Sequence, residues 1–264
     1  MSWLSDAADL RARRVPSVLV TVVARRGHAP REAGAKMLVT ADATSGSVGG
    51  GNLEAGAVRR AREMLAAGAS SPETMDFALN DKVPYDHGRQ CCGGEVTVLL
   101  EVLDVPPCVA VFGCGHVGLE LARILSRHDL DLWLCDSRPA QLTEAETVTQ
   151  DAPATVTTRL AVLGEAVVDE LPAGAHVLGM THDHAEDLHL CDAALARDDL
   201  GSVGLIGSSA KWARFRSKLA EAGHSPESVA AIQCPVGLPD LGGSRPAEIA
   251  VSVAADLLTR LPSR

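Results

Sequence analysis

Apolar and polar positions are arranged differently in the two halves of this chain. In the first half, apolar runs rich in β-branched residues at 18–25, 36–40 and 95–103 predict strands, because such side chains favour extended backbone. Residues 53–68 place apolar side chains at helical spacing, with arginines between them and a glycine at the end. The first half is therefore predicted to be a mixed α/β domain.

The second half alternates strand-like runs with amphipathic segments. It begins with CVAVFGCGHVGLELARIL and ends with AEIAVSVAADLLTRL, a predicted amphipathic helix. Strands that alternate with helices predict a parallel, Rossmann-like sheet covered on both faces. The prolines of DVPP, residues 104–107, stiffen the chain there. We therefore predict an N-terminal domain over 1–104, a linker at 104–107 and a C-terminal domain over 108–264.

Composition excludes several classes of partner. The formal net charge is −10 and aromatic residues make up 3% of the chain, which argues against nucleic-acid binding. No apolar run approaches the roughly 20 residues that span a bilayer, and no signal peptide is recognisable. Seven cysteines without a CxxC pair fit a reducing compartment. We expect a cytoplasmic protein that contacts neither membrane nor nucleic acid.

The segment VFGCGHVG at 111–118 has the pattern G-x-G-x-x-G between a predicted strand and a predicted helix. In such loops Gly113 makes the turn, Gly115 lets a phosphate approach, and Gly118 packs helix on strand. Asp136 lies 21 residues after Gly115, where a ribose-binding acid would lie. The loop therefore binds a dinucleotide or another phosphate ligand, or it serves packing alone.

A second glycine-rich stretch, SVGGGN at 47–52, also precedes a predicted helix. Gly49, Gly50 and Gly51 can turn their backbone N–H groups toward one anion. Asn52 is a candidate for the helix N-cap. The alternative is a flexible turn without a ligand.

The loop GHAPREAGAK at 27–36 carries His28, Arg31 and Lys36. Arg31 can hold a phosphate or carboxylate with two hydrogen bonds. As isolated charges these residues would be solvated. The loop precedes SVGGGN by the length of a hairpin, so we expect the two to share one face.

Two adjacent cysteines, Cys91 and Cys92, lie in the loop GRQCCGG and are followed by Gly93. Vicinal cysteines do not easily bridge each other. Soft thiolates suit a soft metal or a sulfur-transfer step, so both are candidate metal ligands. The alternative reading, a small buried hydrophobe, is expected for the strand cysteines at 108, 114 and 135.

Histidines cluster in THDHAEDLHLCD at 181–192, after a predicted strand. His182, His184 and His189 would form a metal site, a loop that contacts substrate or partner, or simply part of a capped helix start.

A third helix start lies in IGSSAKWARFR at 206–216. Ser208 or Ser209 can cap this helix, and Lys211 can help it receive an anion.

Together these segments resemble the XdhC/CoxI family of xanthine dehydrogenase accessory proteins. The resemblance runs from about residue 18 to the C-terminus, and QCCGG and the compact length are similar to the XdhC branch. The matching segments are TVVARRGHAPREAGAKMLVT, GSVGGGNLE, QCCGG, VFGCGHVG, MTHDHAEDL, GLIGSSAKWARF and CPVGLPDLGGSRPAEIAVSVAADLL.

The resemblance implies an N-terminal XdhC/CoxI domain, a Rossmann-like C-terminal domain, and an accessory protein without catalytic residues. Its XdhC members hold the molybdopterin form of the molybdenum cofactor while a cysteine desulfurase supplies the sulfido ligand. They then deliver it to the apo-xanthine dehydrogenase molybdenum subunit. We expect a homodimer, because two small domains leave apolar faces to cover. The predicted cofactor-binding residues are Arg31, Lys36, Gly49, Gly50, Gly51, Asn52, Cys91, Cys92, Gly93, Gly113, Gly115, Gly118, Asp136, His182, His184, Ser208 and Lys211.

Two enzymatic readings remain open. The first is an NAD(P)-dependent oxidoreductase, in which Asp136 would favour NAD and Arg138 would accept the 2′-phosphate of NADP. The second is a metal-dependent hydrolase at the cluster from His182 to His189.

Overall fold

A computed structural model describes residues 2–78, 94–241 and 243–261. The chain divides between Val105 and Pro106 into two compact units, the N-terminal unit and the C-terminal unit.

The N-terminal unit is a five-stranded antiparallel sheet with the strand order β3-β2-β1-β5-β4. Its strands are β1 (Ser17–Arg26), β2 (Lys36–Val39), β3 (Thr44–Gly46), β4 (Glu73–Ala78) and β5 (Glu95–Leu103). Its helices are α1 (Trp3–Ala12) and α2 (Gly51–Ala66).

Helix α2 covers one face of this sheet. Its buried side chains, among them Leu53 and Met64, share one core with alternate strand residues such as Val20 and Met37. Because side chains alternate between the faces of a strand, Lys36 lies on the face opposite α2. Lys36 and the side chains that pack against α2 therefore lie on opposite faces of the sheet.

The C-terminal unit is a six-stranded parallel sheet with the order β11-β10-β9-β6-β7-β8, which confirms the predicted Rossmann-like class. Its strands are β6 (Cys108–Phe112), β7 (Asp131–Asp136), β8 (Thr155–Leu160), β9 (His176–Gly179), β10 (Ser202–Leu205) and β11 (Ile232–Gln233). Its helices are α3 (His116–Leu125), α4 (Pro139–Val148), α5 (Gly164–Glu170), α6 (His184–Leu195), α7 (Ser209–Glu221), α8 (Pro226–Ala230) and α9 (Pro246–Leu258).

Strand β6 is buried along its whole length because helices cover both sides of the sheet. Val109 and Val111 pack into the core that α3 and α9 share. Ala110 and Phe112 pack into the core on the other side, with α5 and α6. The chain order reverses between β6 and β9, so the loops after these two strands diverge at a switch point, where open parallel sheets bind ligands.

Within the described ranges, no helix is long and apolar enough to cross a membrane.

Candidate functional site

The fingerprint loop, residues 111–118, has the geometry that its glycines predict. Gly113 has φ +106°, and a Cβ there would overlap the carbonyl oxygen of Met180 in the loop after β9. A Cβ at Gly118 would overlap the carbonyl oxygen of Gly113. Gly115, the N-cap of α3, faces open space. Two glycines are therefore required for packing, and only the middle one leaves room for a ligand.

Asp136, at the end of β7, accepts a hydrogen bond from the backbone of this loop. The Cys114 backbone N–H donates to its Oδ2 at 2.7 Å. Arg138 donates to Oδ1 from its backbone N–H and its Nε, each at 2.9 Å, and to Oδ2 from Nη2 at 2.9 Å. The carboxylate thus accepts four hydrogen bonds and is only 4% exposed.

These donors keep Asp136 ionised. Burial alone would raise the pKa of its carboxyl group, but the hydrogen bonds from Arg138 and from Cys114 hold that pKa below its ordinary value. Because both oxygens are engaged inside the protein, a ribose diol could bind Asp136 only by displacing one of these donors.

A narrow crevice opens beside Asp136. Its walls include Phe112, Ser137, Ala161 and Glu186, and its interior volume is about 10 Å³. Ser137 Oγ donates to Glu186 Oε1 at 3.0 Å across the crevice. Ligand pockets for small molecules usually have about 300–1,000 Å³, whereas about 10 Å³ is the space that one water molecule needs. The crevice is therefore too small to enclose a sugar or a base.

The histidine segment forms a capped helix start. Asp183 is the N-cap of α6 and accepts a hydrogen bond from the Ala185 N–H at 2.6 Å. His182 and His184 are exposed, and His182 Nδ1 lies 3.9 Å from Glu186 Oε2. No three His, Cys, Asp or Glu side chains converge as metal ligands in the part of the chain that the structure describes. The hydrolase reading therefore gains no support here.

A buried ion pair joins helices α6 and α7, which follow β9 and β10 in the chain. Asp187 is fully buried and accepts from Lys211 Nζ through Oδ2. Its Oδ1 accepts from the Thr181 N–H at 3.0 Å and the Thr181 hydroxyl at 2.8 Å. Lys211 Nζ also donates to the Ile206 carbonyl oxygen at 3.0 Å. Two donors of Lys211 thus serve the fold, whereas Ser208 caps α7 as predicted, by accepting from the Lys211 N–H at 3.2 Å.

The sequence contained a signal for this pair that we missed. Asp187 lies three, four and seven positions before Leu190, Cys191 and Ala194, the buried residues of α6. A carboxylate on the apolar face of a helix needs a buried partner, because an unpaired buried charge is costly.

Two cysteines of the C-terminal unit, Cys114 and Cys191, do not readily lose a proton to form thiolates. Burial and the nearby Asp136 carboxylate raise the pKa of Cys114 to about 12. Burial likewise raises the pKa of Cys191 to about 12. Both are protonated at neutral pH, and Cys108, Cys114 and Cys135 are buried as predicted. The other pair, Cys91 and Cys92, lies with Gly93 outside the described residues.

The glycine loop, residues 47–52, enters α2 earlier than predicted. Gly49, Gly50 and Gly51 all have positive φ, and the N-cap is Gly50, so the assignment of Asn52 as N-cap is wrong. Three glycines in the left-handed region let the chain turn directly into the helix at Gly51.

The carboxylate of Glu54 lies at this helix start. Its Oε2 accepts the Ser47 hydroxyl at 2.7 Å and the Gly50 N–H at 3.1 Å. A carboxylate near a helix N-terminus is favoured by the helix dipole. The glycine loop therefore binds an anionic group, and in this structure that group is the carboxylate of Glu54 in helix α2.

Two segments meet the loop 27–36. A Cβ at Gly49 would overlap the ring of Pro30, so the glycine loop packs directly against the loop 27–36. A Cβ at Gly94, the first described residue after Gly93, would overlap the carbonyl oxygens of Arg26 and His28. The loop 27–36 is thus in contact with both the glycine loop and Gly94.

The two cations of this loop lie in different places. Arg31 is exposed. Lys36 lies across the sheet from α2, where its Nζ donates to Thr21 Oγ1 at 2.8 Å and lies 5.1 Å from the centre of the Trp3 ring. The structure therefore separates Lys36 from the glycine loop, which the sequence alone did not indicate.

Family models match both halves of the chain. Residues 109–257 match the model described as the XdhC Rossmann domain, and residues 10–78 match the XdhC and CoxI family.

Two relatives illustrate these matches. An uncharacterised protein of Escherichia coli K12, YqeB, is 27% identical over 271 residues, which cover 98% of this chain and 46% of YqeB. The chain thus spans about half the length of this curated relative. A solved structure from Bacillus halodurans, described as a xanthine dehydrogenase, is 20% identical, with 98% of this chain and 96% of that chain covered and a TM-score of 0.48.

Proposed function

Because the chain belongs to the XdhC and CoxI family, as its motifs indicated, we propose that it acts in the maturation of a xanthine dehydrogenase. In this proposal it holds the molybdopterin form of the molybdenum cofactor while a cysteine desulfurase supplies the sulfido ligand. It then delivers the cofactor to the apoenzyme. It is an accessory protein of the cytoplasm, acts as a homodimer, and catalyses no reaction of its own.

The chemistry of the cofactor defines what its binding site must offer. Molybdopterin carries a phosphate and binds its metal through two sulfur atoms. A protein that holds it needs hydrogen-bond donors for the phosphate and pterin, and soft or protective groups near the metal. We assign both tasks to the N-terminal unit.

The observation that carries this assignment is the contact of three segments in that unit. The loop 27–36 packs against Gly49 on one side and against Gly94 on the other. Gly94 follows Cys91, Cys92 and Gly93 directly in the chain. The loop that carries Arg31 and the glycine loop are therefore neighbours, and Cys91 and Cys92 are close in the chain to Gly94, which contacts the same loop.

Each residue has a specific role in this proposal. Arg31 and the N–H groups of Gly50 and Gly51 bind the phosphate, and Glu54 withdraws when the phosphate arrives. Cys91 and Cys92 approach the metal as thiolates. The proposal does not use Lys36 or Lys211, whose ammonium groups are engaged elsewhere.

The oxidoreductase alternative is not proposed. It depended on Asp136 as the acceptor of a ribose diol, and that carboxylate already accepts four hydrogen bonds. No observation in the described residues favours hydride transfer.

The test is an anaerobic titration of the reduced protein with molybdenum cofactor. We expect the double variant Cys91→Ala/Cys92→Ala to lose at least about tenfold in affinity, which corresponds to about 1.4 kcal/mol. Cys234→Ala is the matched control, because Cys234 is a partly exposed thiol of the C-terminal unit, and it should bind normally. Equal affinity of all three proteins would remove the cysteines from the site.

A further inference from the structure

A larger cavity lies on the sheet of the N-terminal unit, at the end where β1 leads into the loop 27–36. Its volume is about 440 Å³, within the range of about 300–1,000 Å³ that small-molecule sites usually have. Its walls, as far as the structure describes them, belong to β1, β4 and β5. Unlike the crevice beside Asp136, this cavity is large enough to take up a ring system.

The walls are formed mostly by one face of the sheet, the face opposite α2. Val96 and Val98 of β5 pack into the core with α2, so their neighbours Glu95 and Thr97 lie on the other face. The pairing of β5 with β1 and β4 extends this face across three strands. The wall residues on it are Ala24, Arg26, Asp76, Ala78, Glu95 and Thr97. The two alanines leave room above the strands, and the other four supply hydrogen-bonding groups.

Asp76 is an acceptor in this cavity that a neighbouring side chain holds in place. Its Oδ1 accepts the hydroxyl of Thr97, its direct cross-strand neighbour, at 2.6 Å. Each carboxylate oxygen accepts about two hydrogen bonds, so both oxygens of Asp76 can still bind a ligand. A carboxylate held in this way can accept two parallel hydrogen bonds from one ligand, as carboxylates do from a guanidinium.

The cavity adjoins the loop to which the proposed function assigns the phosphate of the cofactor. Arg26 is the last residue of β1 and directly precedes the loop 27–36. Arg25, also in the wall, is paired with Glu32 of that loop, with 2.6 Å between Nη2 and Oε2. Gly94, directly before β5, packs against the carbonyl oxygen of Arg26. The cavity and the loop therefore belong to one continuous part of the N-terminal unit.

We propose that this cavity binds the pterin ring of the molybdenum cofactor, an inference that rests on the proposed function and deepens it. A pterin carries an amino group beside a ring N–H, two donors spaced as in a guanidinium. Asp76 accepts both through its two oxygens. Thr97 is a positioning residue, because its hydroxyl holds the carboxylate.

The polar part of the proposal is tested with pterin and lumazine, in which a carbonyl oxygen replaces the amino group. Both are titrated into the full chain and followed by the fluorescence of the ring. We expect the wild type to bind pterin about tenfold more tightly than lumazine, because the Asp76 carboxylate accepts from the amino group and repels the carbonyl oxygen. Asp76→Asn replaces one acceptor by a donor, so this variant should bind lumazine more tightly than pterin.

The control for charge is Asp42→Asn, at an exposed acid of the same unit outside the walls, which should keep the wild-type preference. An unchanged preference for pterin in Asp76→Asn would overturn the inference. So would a wild-type chain that binds no pterin at about 0.1 mM.

The space in the cavity is tested with Ala78→Phe, which would fill it from β4. We expect pterin affinity to fall by more than about tenfold. Thr74→Phe is the matched control, because Thr74 lies on the same face of the same strand but outside the walls, and it should bind pterin normally. Equal pterin affinity in the two variants would contradict the assigned site.

The two rings carry neither phosphate nor metal, so their binding does not depend on Arg31, Cys91 or Cys92. If the chain binds molybdenum cofactor through its cysteines while Asp76→Asn leaves the affinities for both rings unchanged, this inference fails and the proposed function stands.

Discussion

The chain contains two glycine loops that each precede a helix. The two loops differ in the position of the carboxylate that binds their backbone N–H groups. In the N-terminal unit, Glu54 comes from the helix itself and its Oε2 occupies the helix start. In the C-terminal unit, Asp136 comes from the neighbouring strand, binds the Cys114 N–H from behind, and leaves Gly115 facing open space. One loop already holds an anionic group of the protein, and the other leaves its ligand side open.

This difference shows that a glycine-rich motif does not by itself identify an available anion site. The position of the nearest carboxylate decides whether the loop can bind an external anion. A helical acid at the N-terminus stabilises the helix by about 0.3–1 kcal/mol and competes with any external anion. A carboxylate at the end of a strand, such as Asp136, binds the backbone of the glycine loop on the side away from Gly115. It holds the loop in place without competing with an external anion.

The largest expected effect is the difference in stability between a variant at Gly113, which packs against the backbone, and one at Gly115, which faces open space. Gly113→Ala should destabilise the C-terminal unit by about 3 kcal/mol or more, because φ is positive and the new Cβ would overlap the backbone at Met180. Gly115→Ala should cost less than about 1 kcal/mol, because its backbone is extended and its surroundings are open. Urea unfolding followed by tryptophan fluorescence measures both. Similar losses in the two variants would contradict the assigned roles.

A smaller effect concerns the ion pair behind the fingerprint loop. Arg138→Ala removes two of the four hydrogen bonds to Asp136, those from Nε and Nη2, and the positive charge that they carry, whereas the backbone N–H of residue 138 still donates. This loss should cost about 1.5–3 kcal/mol at pH 7. The folded-state pKa of Asp136 lies below its ordinary value. Its contribution is therefore present above the unfolded pKa of about 3.9 and is lost as pH falls through the folded pKa.

The measurement is the free energy of unfolding of wild type and Arg138→Ala between pH 7 and pH 2. The gap between the two proteins should be largest at neutral pH and close in acid. The control is Arg123→Ala, which breaks an exposed pair with Glu120 and should change stability by less than about 1 kcal/mol. A gap that stays constant down to the lowest pH would refute the role of the Asp136 charge.

The smallest effect on stability is expected at the first loop. Glu54→Gln should cost about 0.5–1 kcal/mol of helix stability and raise the affinity for inorganic pyrophosphate on the order of tenfold at low salt, since the competing charge is gone. Asp42→Asn, an exposed acid of the same unit, is the control for net charge. If the two variants bind pyrophosphate equally, Glu54 does not compete for that site.

Local patterns predicted much of the fold. Alternating strands and helices indicated the parallel sheet, and the spacing of Gly113, Gly115 and Gly118 indicated the turn that the structure contains. One of the two serines predicted as caps, Ser208, is the N-cap of α7, because capping depends on residues within one turn.

Features that depend on pairing across the fold were not predicted. Lys36 faces away from α2 because of its register with Thr21, and register is not visible from one strand alone. In the oxidoreductase alternative Arg138 would accept the 2′-phosphate of NADP, whereas in the folded chain its side chain binds Asp136. Asn52 was misplaced because the left-handed glycines allow several helix starts, and only the position of Glu54 distinguishes them.

The most direct test of the central claim, that the N-terminal unit holds the cofactor, is hydrogen exchange of the full chain with and without molybdenum cofactor under anaerobic conditions. We predict slower exchange in peptides that cover 27–36 and 47–54, and no change in those that cover 111–118. Protection confined to 111–118 would contradict the account and move the cofactor to the C-terminal unit.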